Sequence, residues 1–331
     1  MNASVIGGGS WGTAFARLLT LAGMETEIIC RRPEQAEAIN LGHRNPDYLR
    51  DIELPGALKA SSFEHNNLAQ ADLVVIAIPS KVYRQVVRQV AAAMKPDAAV
   101  LSLTKGLEPE TLERLSSVLA KELPAPANKK VIVLSGPNHA EEVALDIPTA
   151  TTIAADDRGL AAWLQKLIST ESFRPYINSD IIGVELCAAT KNVIALAAGM
   201  SDGLGFGDNT KASLITRGLA EMARLGERMG ADPQTFSGLA GIGDLIATCT
   251  SRHSRNRMAG ELIAKGRTPG EAEAGMGMVA EGLTSAAAVL NLAREQGVEM
   301  PITEQVCAVI YEGKGVRGAV AELMNRAPRP E

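Results

Sequence analysis

Residues 3–16, ASVIGGGSWGTAFA, decide the fold of the N-terminal half of the chain. Their first residues are apolar and predict a short buried strand, and the residues from Gly12 onward predict an α-helix. Between the two, Gly7, Gly9 and Gly12 fit the pattern G-x-G-x-x-G, and the stretch ETEIIC at 25–30 predicts a second strand. In this strand–turn–helix–strand context, the pattern predicts a dinucleotide-binding loop.

Each glycine of this pattern has its own physical role. Gly7 allows a tight turn, Gly9 lets the backbone approach a pyrophosphate, and Gly12 lets the helix lie close to the sheet. The N-terminus of the helix adds N–H donors and a partial positive charge, which favour an anion. The loop is therefore predicted to bind the pyrophosphate of a cofactor.

The pattern of strands and helices changes near residue 180. Up to that point, nearly continuous apolar strands alternate with helices, one of them predicted over 110–123, which indicates a mostly parallel sheet covered on both faces. Beyond it we find helical periodicity and glycine-containing loops. The sequence predicts an α/β fold, with a Rossmann-like, mostly parallel sheet domain at 1–180 and an all-α substrate and catalytic domain at 181–331.

Composition and charge exclude several classes of partner. The 331 residues carry a net charge of −5 with no long basic run, which argues against nucleic acid or an acidic membrane surface as the main partner. No run of 18 or more apolar residues is found, so no membrane span is predicted, and the N-terminus lacks the features of a signal peptide. Four widely spaced cysteines suggest buried thiols in a reducing compartment, and hence a cytoplasmic protein.

Two basic residues follow the second predicted strand. An acidic residue at this place usually bonds the ribose hydroxyls of NAD, whereas Arg31 and Arg32 suit the 2′-phosphate of NADP. Glu27 lies earlier, within the strand, and is not expected to reach the ribose. We therefore predict that NADPH is used well, and the alternative is that the two arginines are ordinary surface residues.

The stretch CAATKNVIALAAG at 187–199 places one charge in an apolar helix. The helix is predicted over 182–198, with Gly199 at its end, and it is apolar nearly all round, so it should be buried. An ammonium group there needs a partner, and desolvation would lower the pKa of Lys191 toward the range useful for acid–base chemistry. The alternatives are a lysine that reaches solvent and a structural ion pair.

Two further segments carry candidates for a site. Asp244, which lies among glycines and apolar residues in GIGDL, is a candidate partner of Lys191. It is predicted to be a placed carboxylate, a helix N-cap or both. The segment SRHSRNR at 251–257 has three arginines among serines and an asparagine, which suits a phosphate or a carboxylate, unless it is a solvated basic loop. His253 and the other histidines form no spaced cluster, so we predict no metal site.

The segments that follow two predicted strands should face the ligand crevice, because parallel strands end at the same edge of a sheet. Lys105 lies in TKG after the strand AVLSL, and Gly136 and Asn138 lie in SGPN after the next one. Both segments could also be plain turns.

With these residues assembled, the chain resembles the bacterial-type NAD(P)-dependent glycerol-3-phosphate dehydrogenases over essentially its whole length. The matching pieces are long, occur in the order of the family and lie in both predicted domains. They read GGGSWGTAFA, SLTKGLE, LSGPNHA, ELCAATKNVIALAAG, GLAGIGDLIATCTSRHSRNR and VAEG. The family's loop commonly reads S-G-P-S or S-G-P-T followed by F-A, so Asn138 and His139 depart from it.

The resemblance implies the interconversion of dihydroxyacetone phosphate and sn-glycerol 3-phosphate, which is the backbone precursor of glycerophospholipids. It implies that Lys191 is the proton donor and acceptor. It implies substrate contacts at Lys105, Gly136, Asn138, Asp244, Ser254, Arg255 and Asn256. It implies cofactor contacts at Ser10, Trp11, Arg31, Arg32, Lys105, Ala140, Arg255, Val279 and Glu281. The family uses NADP(H), NAD(H) or both, and a homodimer is expected.

Two other functions are compatible with the residues. One is a β-hydroxyacid dehydrogenase of related architecture, which would anchor a carboxylate in place of a phosphate. The other is a non-catalytic NADP(H)-binding sensor, in which a buried Lys191 would have no chemical role.

Overall fold

The computed structural model describes residues 1–276 and 279–327. The chain divides into two compact units. The first comprises Met1–Glu108 and Glu113–Glu185, and the second comprises Pro109–Leu112 and Leu186–Glu331.

The first unit is an α/β unit with eight strands and six α-helices among the described residues. In chain order these are β1 (Asn2–Ile6), α1 (Ser10–Leu21), β2 (Glu25–Cys30), α2 (Pro33–Gly42), β3 (Lys59–Ser62), β4 (Leu73–Ile76), α3 (Tyr83–Ala91), β5 (Ala99–Ser102), α4 (Leu115–Glu122), β6 (Val131–Ser135), α5 (Ala140–Ala144), β7 (Thr149–Ala154), α6 (Arg158–Ile168) and β8 (Phe173–Asn178).

The strands form one sheet in the order β3-β2-β1-β4-β5-β6-β7-β8. The first six strands are parallel, β7 is antiparallel to β6, and β8 is parallel to β7. This confirms a Rossmann-like, mostly parallel sheet. The strand order reverses direction between β1 and β4, and the crevice outside the carboxyl ends of such strands is where open α/β sheets bind ligands.

Buried side chains cover both faces of the sheet. Val5 of β1, Ile28 of β2 and Val75 of β4 belong to one core cluster, which includes residues of α1 and α6. The neighbouring Ile6 and Ile29 belong to a second cluster, which includes residues of α3 and α4. Since successive residues of a strand point to opposite faces, these strands need apolar residues on both faces, and consecutive apolar residues such as Val5 and Ile6 of β1 and Ile28 and Ile29 of β2 provide them.

The second unit is helical. It contains most of α7 (Ile181–Gly203) and then α8 (Asp208–Arg228), α9 (Pro233–Phe236), a π-helical turn (Leu239–Gly243), α10 (Asp244–Thr250), α11 (Arg255–Ala264), α12 (Pro269–Met276), α13 (Glu281–Glu295), α14 (Pro301–Tyr311) and α15 (Val316–Met324). No strand occurs in the described part of this unit, as the sequence predicted.

Helix α7 is long and apolar enough to cross a membrane by length and composition alone. Within the structure, however, 94% of its most apolar 18-residue window is buried. This burial is typical of the core helix of a soluble protein, and it places Lys191 inside the unit.

Two predicted helix boundaries are wrong. The helix predicted over 110–123 begins only at Leu115, because the N–H of Glu108 bonds the carbonyl of Glu113 in a turn. The carboxylate of Glu185 then binds the first turn of α4, accepting from the N–H and the hydroxyl of Ser116 at 2.7 and 2.5 Å. A side chain 69 residues away in the sequence therefore helps to set where this helix begins.

The second wrong boundary is Gly199, which does not end α7, since the helix continues to Gly203. A Cβ atom at Gly199 would lie 1.9 Å from the carbonyl oxygen of Arg257 in α11. A Cβ atom at Gly260 of α11 would lie 2.1 Å from the carbonyl oxygen of Leu196. These glycines let two helices cross at close range, and the sequence pattern alone does not distinguish this role from a helix end.

Candidate active site

The glycine-rich loop joins β1 to α1 and has the geometry of a phosphate cradle. Gly7 has φ +118°, and a Cβ atom there would lie 2.3 Å from the carbonyl oxygen of Ala77. A Cβ atom at Gly12 would lie 2.0 Å from the carbonyl oxygen of Gly7, so α1 begins directly against the loop. A Cβ atom at Gly9 would have no atom of the described residues within 4 Å beyond its chain neighbours. Gly9 is also the N-cap residue of α1 and makes no side-chain capping bond. The loop thus fits a pyrophosphate at an uncapped helix N-terminus.

Ser10 and Trp11 begin α1 at the edge of this loop. Ser10 is buried, and the Trp11 ring packs against a small cluster that includes Ala14, Ala140 and Ala144. The Trp11 Nε1 atom is buried and hydrogen-bonds no other described residue. The structure thus brings together Trp11 and Ala140, two residues implied as cofactor contacts, in one part of the sheet unit.

The two arginines after β2 differ in their surroundings. Both are exposed, and the guanidinium of Arg32 forms an ion pair with Asp47. Within residues 1–276 and 279–327, Arg31 makes no ion pair. Glu27 is buried in β2, and its carboxylate accepts from the N–H of Asn67 at 2.9 Å, so it is engaged away from the end of the strand.

Lys105 and the loop after β6 lie together in the sheet unit. The Nζ atom of Lys105 donates to Asn138 Oδ1 at 2.9 Å and to the carbonyl of Gly136 at 3.2 Å. Asn138 is buried, and its Nδ2 atom donates to Thr151 Oγ1 at 3.0 Å. Gly136 has φ +138° and a Cβ atom there would lie 2.9 Å from Thr151 Oγ1, so glycine is required. Asn138 therefore holds the lysine in place, although it departs from the family's usual residue.

Lys191 is buried in α7 with partners from α10. Its Nζ atom donates to Asp244 Oδ1 at 2.5 Å and to Thr248 Oγ1 at 2.8 Å. The side chains of Lys191 and Asp244 are 4% and 2% exposed. Thr248 in turn donates to the carbonyl of Asp244 at 2.6 Å. The carboxylate and the hydroxyl offset the cost of burying the ammonium charge.

The structure decides between the two interpretations of Asp244. Helix α10 begins at Asp244 itself, with Gly243 at the N-cap position, so Asp244 is not the N-cap residue. It binds Lys191 instead. Asp244 is therefore a carboxylate placed against Lys191, and the N-cap position of α10 belongs to Gly243.

The arginines of the segment 251–257 differ in their ion-pair partners. Arg257 donates to Asp202 Oδ2 at 2.6 Å and is held by the fold. Ser254 is buried and caps α11, accepting from the N–H of Arg257 at 3.3 Å. Arg255, the first residue of α11, is half-exposed and has no ion pair within the described part of the chain. Its guanidinium is thus available for an anion.

Asn256 connects this segment to the start of α13. Its Nδ2 atom donates to Asn192 Oδ1 at 2.9 Å, and its Oδ1 atom accepts from the N–H of Gly282 at 2.8 Å. Glu281 is the first residue of α13, and Val279 lies two residues before it, 42% exposed. The implied substrate ligand Asn256 therefore also positions the segment that carries two implied cofactor contacts.

Sequence reasoning missed Thr248 and Asn192, which contact Lys191 and Asn256. Thr248 follows Asp244 by four residues in a helix, so the two share a face, and this spacing was a usable signal. Asn192 adjoins Lys191, but its contact with Asn256 spans 64 residues and has no local signal.

The described residues contain no group of three or more His, Cys, Asp and Glu side chains that could hold a metal ion. The four cysteines are free and buried. Burial raises the pKa of Cys30, Cys249 and Cys307 to about 12, so these thiols stay protonated near neutral pH and are poor nucleophiles.

Comparison with known proteins agrees with this geometry. The family model described as NAD-dependent glycerol-3-phosphate dehydrogenase N-terminus matches residues 2–161, and the corresponding C-terminus model matches residues 180–321. A glycerol-3-phosphate dehydrogenase [NAD(P)+] from Streptomyces griseus is 49% identical, covering 100% of this chain and 98% of the relative. One from Bacillus subtilis is 45% identical, covering 99% and 95%.

A solved structure is also similar over the whole chain. The crystal structure of glycerol-3-phosphate dehydrogenase from Coxiella burnetii has a TM-score of 0.92 and 35% identity, covering 98% of this chain and 99% of that one. These matches favour the predicted reaction over a β-hydroxyacid dehydrogenase or a sensor. The chain therefore belongs to the family of NAD(P)-dependent glycerol-3-phosphate dehydrogenases, which interconvert dihydroxyacetone phosphate and sn-glycerol 3-phosphate with NAD(H) or NADP(H).

Proposed function

We propose that Lys191 is the general acid in the reduction of dihydroxyacetone phosphate and the general base in the reverse reaction. The observation that carries this proposal is the buried ion pair of Lys191 with Asp244, in a stretch of α7, residues 187–199, that has no other charged residue. A buried charge is costly, so a lysine kept in an apolar stretch and paired with a carboxylate supports a chemical role.

The chemistry follows from the carbonyl that is reduced. When bound, NADPH or NADH supplies the hydride that adds to the central carbonyl carbon. Negative charge then develops on the carbonyl oxygen, where the ammonium of Lys191 stabilises it and donates a proton. Asp244 and Thr248 fix the position of Nζ through bonds of 2.5 and 2.8 Å. In the oxidative direction, neutral Lys191 accepts the proton of the hydroxyl group.

Arg255 is proposed to bind the phosphate of the substrate. A guanidinium matches the geometry of a phosphate, and that of Arg255 is not neutralised by a carboxylate of the described chain. Ser254 and Asn256, on either side of it, are proposed as further substrate contacts. Lys105, Gly136 and Asn138 are proposed as the substrate contacts of the sheet unit, where they are joined by hydrogen bonds.

The cofactor contacts are proposed to follow the glycine-rich loop. Gly7, Gly9 and Gly12 would cradle the pyrophosphate at the start of α1, and Arg31 and Arg32 would bind a 2′-phosphate. The remaining proposed contacts are Ser10, Trp11, Lys105, Ala140, Arg255, Val279 and Glu281. In this assignment residues 1–180 provide most of the cofactor contacts. Residues 181–331 supply the acid, bind the phosphate and add the cofactor contacts of Arg255, Val279 and Glu281.

The substrate assignment is tested by following NADPH consumption with three compounds. We expect turnover of dihydroxyacetone phosphate and at least about tenfold less of unphosphorylated dihydroxyacetone, because a charge-assisted hydrogen bond contributes about 1.5–3 kcal/mol. A short β-keto acid should not react. Equal rates with and without the phosphate would contradict the role of Arg255.

We further propose a homodimer. The helical unit carries an apolar groove of about 900 Å³ lined by residues of α8, α14 and α15, including Leu214, Val306 and Leu323. Its wall includes Arg217, Arg224 and Arg228 as well as Glu227 and Glu299, so both signs of charge share one patch. A two-fold interface joins a patch to its own copy and requires such self-complementarity.

Sedimentation velocity tests this proposal. The wild-type chain should sediment as a dimer at micromolar concentration, and Leu214→Asp should sediment as a monomer. A monomeric wild-type chain would contradict the proposal.

A cytoplasmic location is proposed as well. Four free, buried cysteines suit a reducing compartment, in which no disulfide is needed. Cell fractionation should find the protein with cytoplasmic markers, and recovery in a membrane or secreted fraction would contradict this location.

A further inference from the structure

The segment that follows α2 is tied to the glycine-rich loop by a buried asparagine. Asn45 is fully buried, and its Nδ2 atom donates to the carbonyl of Gly8 at 3.0 Å and to Thr13 Oγ1 at 2.8 Å. The Nε2 atom of Gln35 donates to the same carbonyl at 2.8 Å and to Asn45 Oδ1 at 3.1 Å. A buried amide network of this kind holds its members in one arrangement.

The same asparagine shapes the residues after it. Its Oδ1 atom accepts from the N–H groups of Asp47 and Tyr48 at 3.1 and 3.3 Å, which is an Asx turn. Asp47 is thus placed by a buried anchor on the cofactor loop, and its carboxylate reaches the guanidinium of Arg32. The position of this exposed carboxylate is therefore set by the fold.

The charges of Asp47 and Arg32 both act at the end of β2. Burial raises the pKa of the Cys30 thiol, the last residue of that strand, while the Arg32 charge lowers it and the Asp47 charge raises it. This is the place where NAD-binding sheets commonly carry an acidic residue for the ribose hydroxyls. Here the strand ends in Cys30 and two arginines follow, and Glu27 is engaged by Asn67.

We propose that Asp47 is a cofactor-specificity residue, which supplies from the loop after α2 the carboxylate that the end of β2 lacks. It neutralises much of the Arg32 charge and repels a 2′-phosphate, so that it weakens selection for NADP(H). A ribose hydroxyl is uncharged and can donate to a carboxylate, so NAD(H) is tolerated. Arg31, which forms no ion pair within the described residues, remains the principal phosphate partner. The inference rests on the proposed role of Arg31 and Arg32.

The test measures binding of NADPH and NADH separately, by titrating protein fluorescence at low ionic strength, where exposed charges are least screened. In Asp47→Asn the ratio of the NADH dissociation constant to the NADPH one should rise about three- to tenfold, the scale of an exposed charge pair. The matched control is Glu53→Gln, which removes one negative charge from an exposed residue near Arg44. It should change the ratio by less than about twofold.

Arg32→Gln completes a double-mutant cycle. It should lower the ratio, and Asp47→Asn should have a smaller effect in that background, because the part of its action that passes through Arg32 is lost and only its direct repulsion of the 2′-phosphate remains. The ratio of kcat/KM for the two cofactors should move in parallel with binding. If Arg32→Gln lowers the ratio and Asp47→Asn leaves it unchanged, the role of Asp47 is wrong and the arginine assignment stands. If neither variant moves the ratio, both assignments are wrong.

Discussion

Two buried charges in the helical unit have different surroundings. Glu221 of α8 is 2% exposed, and its carboxylate accepts from the N–H groups of Ile302 and Thr303 at 2.6 and 3.2 Å. It therefore caps the N-terminus of α14, where backbone donors and the helix dipole favour a negative charge. Lys191 is 3% exposed, but its ammonium is held by the side chains of Asp244 and Thr248.

The difference shows how to interpret a buried charge. Backbone donors that lack another partner need the Glu221 carboxylate, so its role is explained by the fold. No backbone group of α7 needs the Lys191 ammonium, and a neutral side chain of similar length would fill the same space. The burial of a charge alone therefore does not indicate catalysis. A buried charge indicates catalysis when its partners are side chains and no backbone group of the fold needs it. Four experiments test this distinction.

The largest effect should come from Lys191→Met, which removes the charge and keeps most of the volume. Loss of proton transfer should lower kcat for dihydroxyacetone phosphate by about 10²–10⁴-fold. The dissociation constant for NADPH should change little, as measured by fluorescence titration. Lys265→Met, at an exposed lysine of the same unit, is the control and should keep full activity. A variant at 191 with more than about a tenth of the wild-type kcat would contradict the proposed role.

Glu221→Gln should change the pH dependence of stability and leave kcat near the wild-type value. Burial raises the pKa of Glu221 to about 7, from 4.5, in opposition to its hydrogen bonds. A raised pKa means that this carboxyl stabilises the fold fully below pH 4.5 and loses that contribution as the pH rises through about 7. The free energy of unfolding of the wild type should therefore fall by about 3 kcal/mol from this group over that range.

Denaturant unfolding at pH 5 and pH 8 measures this change. Carboxyl groups with lowered pKa, such as Glu122 at about 2, titrate below this window and do not interfere. The variant should lose less stability than the wild type between the two pH values. An identical fall in both proteins would show that Glu221 does not titrate in the window.

The arginines of α11 repeat the comparison on a smaller scale. Arg255→Gln should raise KM for dihydroxyacetone phosphate by about 10- to 100-fold, as expected for one charge-assisted hydrogen bond. Arg257→Gln should instead lower the free energy of unfolding, because Arg257 is paired with Asp202. Steady-state kinetics and denaturant unfolding of both variants measure the contrast. An equal KM change in both variants would contradict the assignment of Arg255.

The smallest effect is expected from Thr248→Val, which removes a hydrogen bond to Lys191 and keeps the shape. We expect kcat to fall about fivefold, the equivalent of one hydrogen bond of about 1 kcal/mol. Thr250→Val is the matched control, since its hydroxyl donates to the carbonyl of Ile246 on the exposed side of the same helix. If both variants have the same kcat, Thr248 does not position the ammonium.

Several parts of the fold and site could be predicted from local sequence. The strand–glycine–helix order predicted the loop at 7–12, because the period of apolar residues and the need for glycine at a positive φ are local properties. The lone lysine in an apolar helix predicted a buried partner, and Asp244 was among the candidates. The role of Lys191 in proton transfer stays a prediction.

Other parts could not be predicted, because they depend on residues distant in the sequence. The start of α4 is set by Glu185, and the continuation of α7 past Gly199 depends on the backbone of α11. The same holds for the Asn45 network, which joins residues 32 and 37 positions apart. Propensity and periodicity describe one element at a time and carry no information about which element crosses it.

The sequence by itself determined the alternation of strands and helices up to residue 180, the helical class of the rest, the position of the cofactor loop and the presence of one costly charge in the stretch 187–199. Each of these follows from the chemistry of neighbouring residues. Only the tertiary structure decided how similar residues divide their roles. It assigned Asp244 to Lys191, engaged Arg257 but not Arg255, and placed Asp47 beside Arg32. The physical reason is that an ion pair is defined by distance in space, and in these three pairs folding brings together charges that the chain keeps 15, 53 and 55 residues apart.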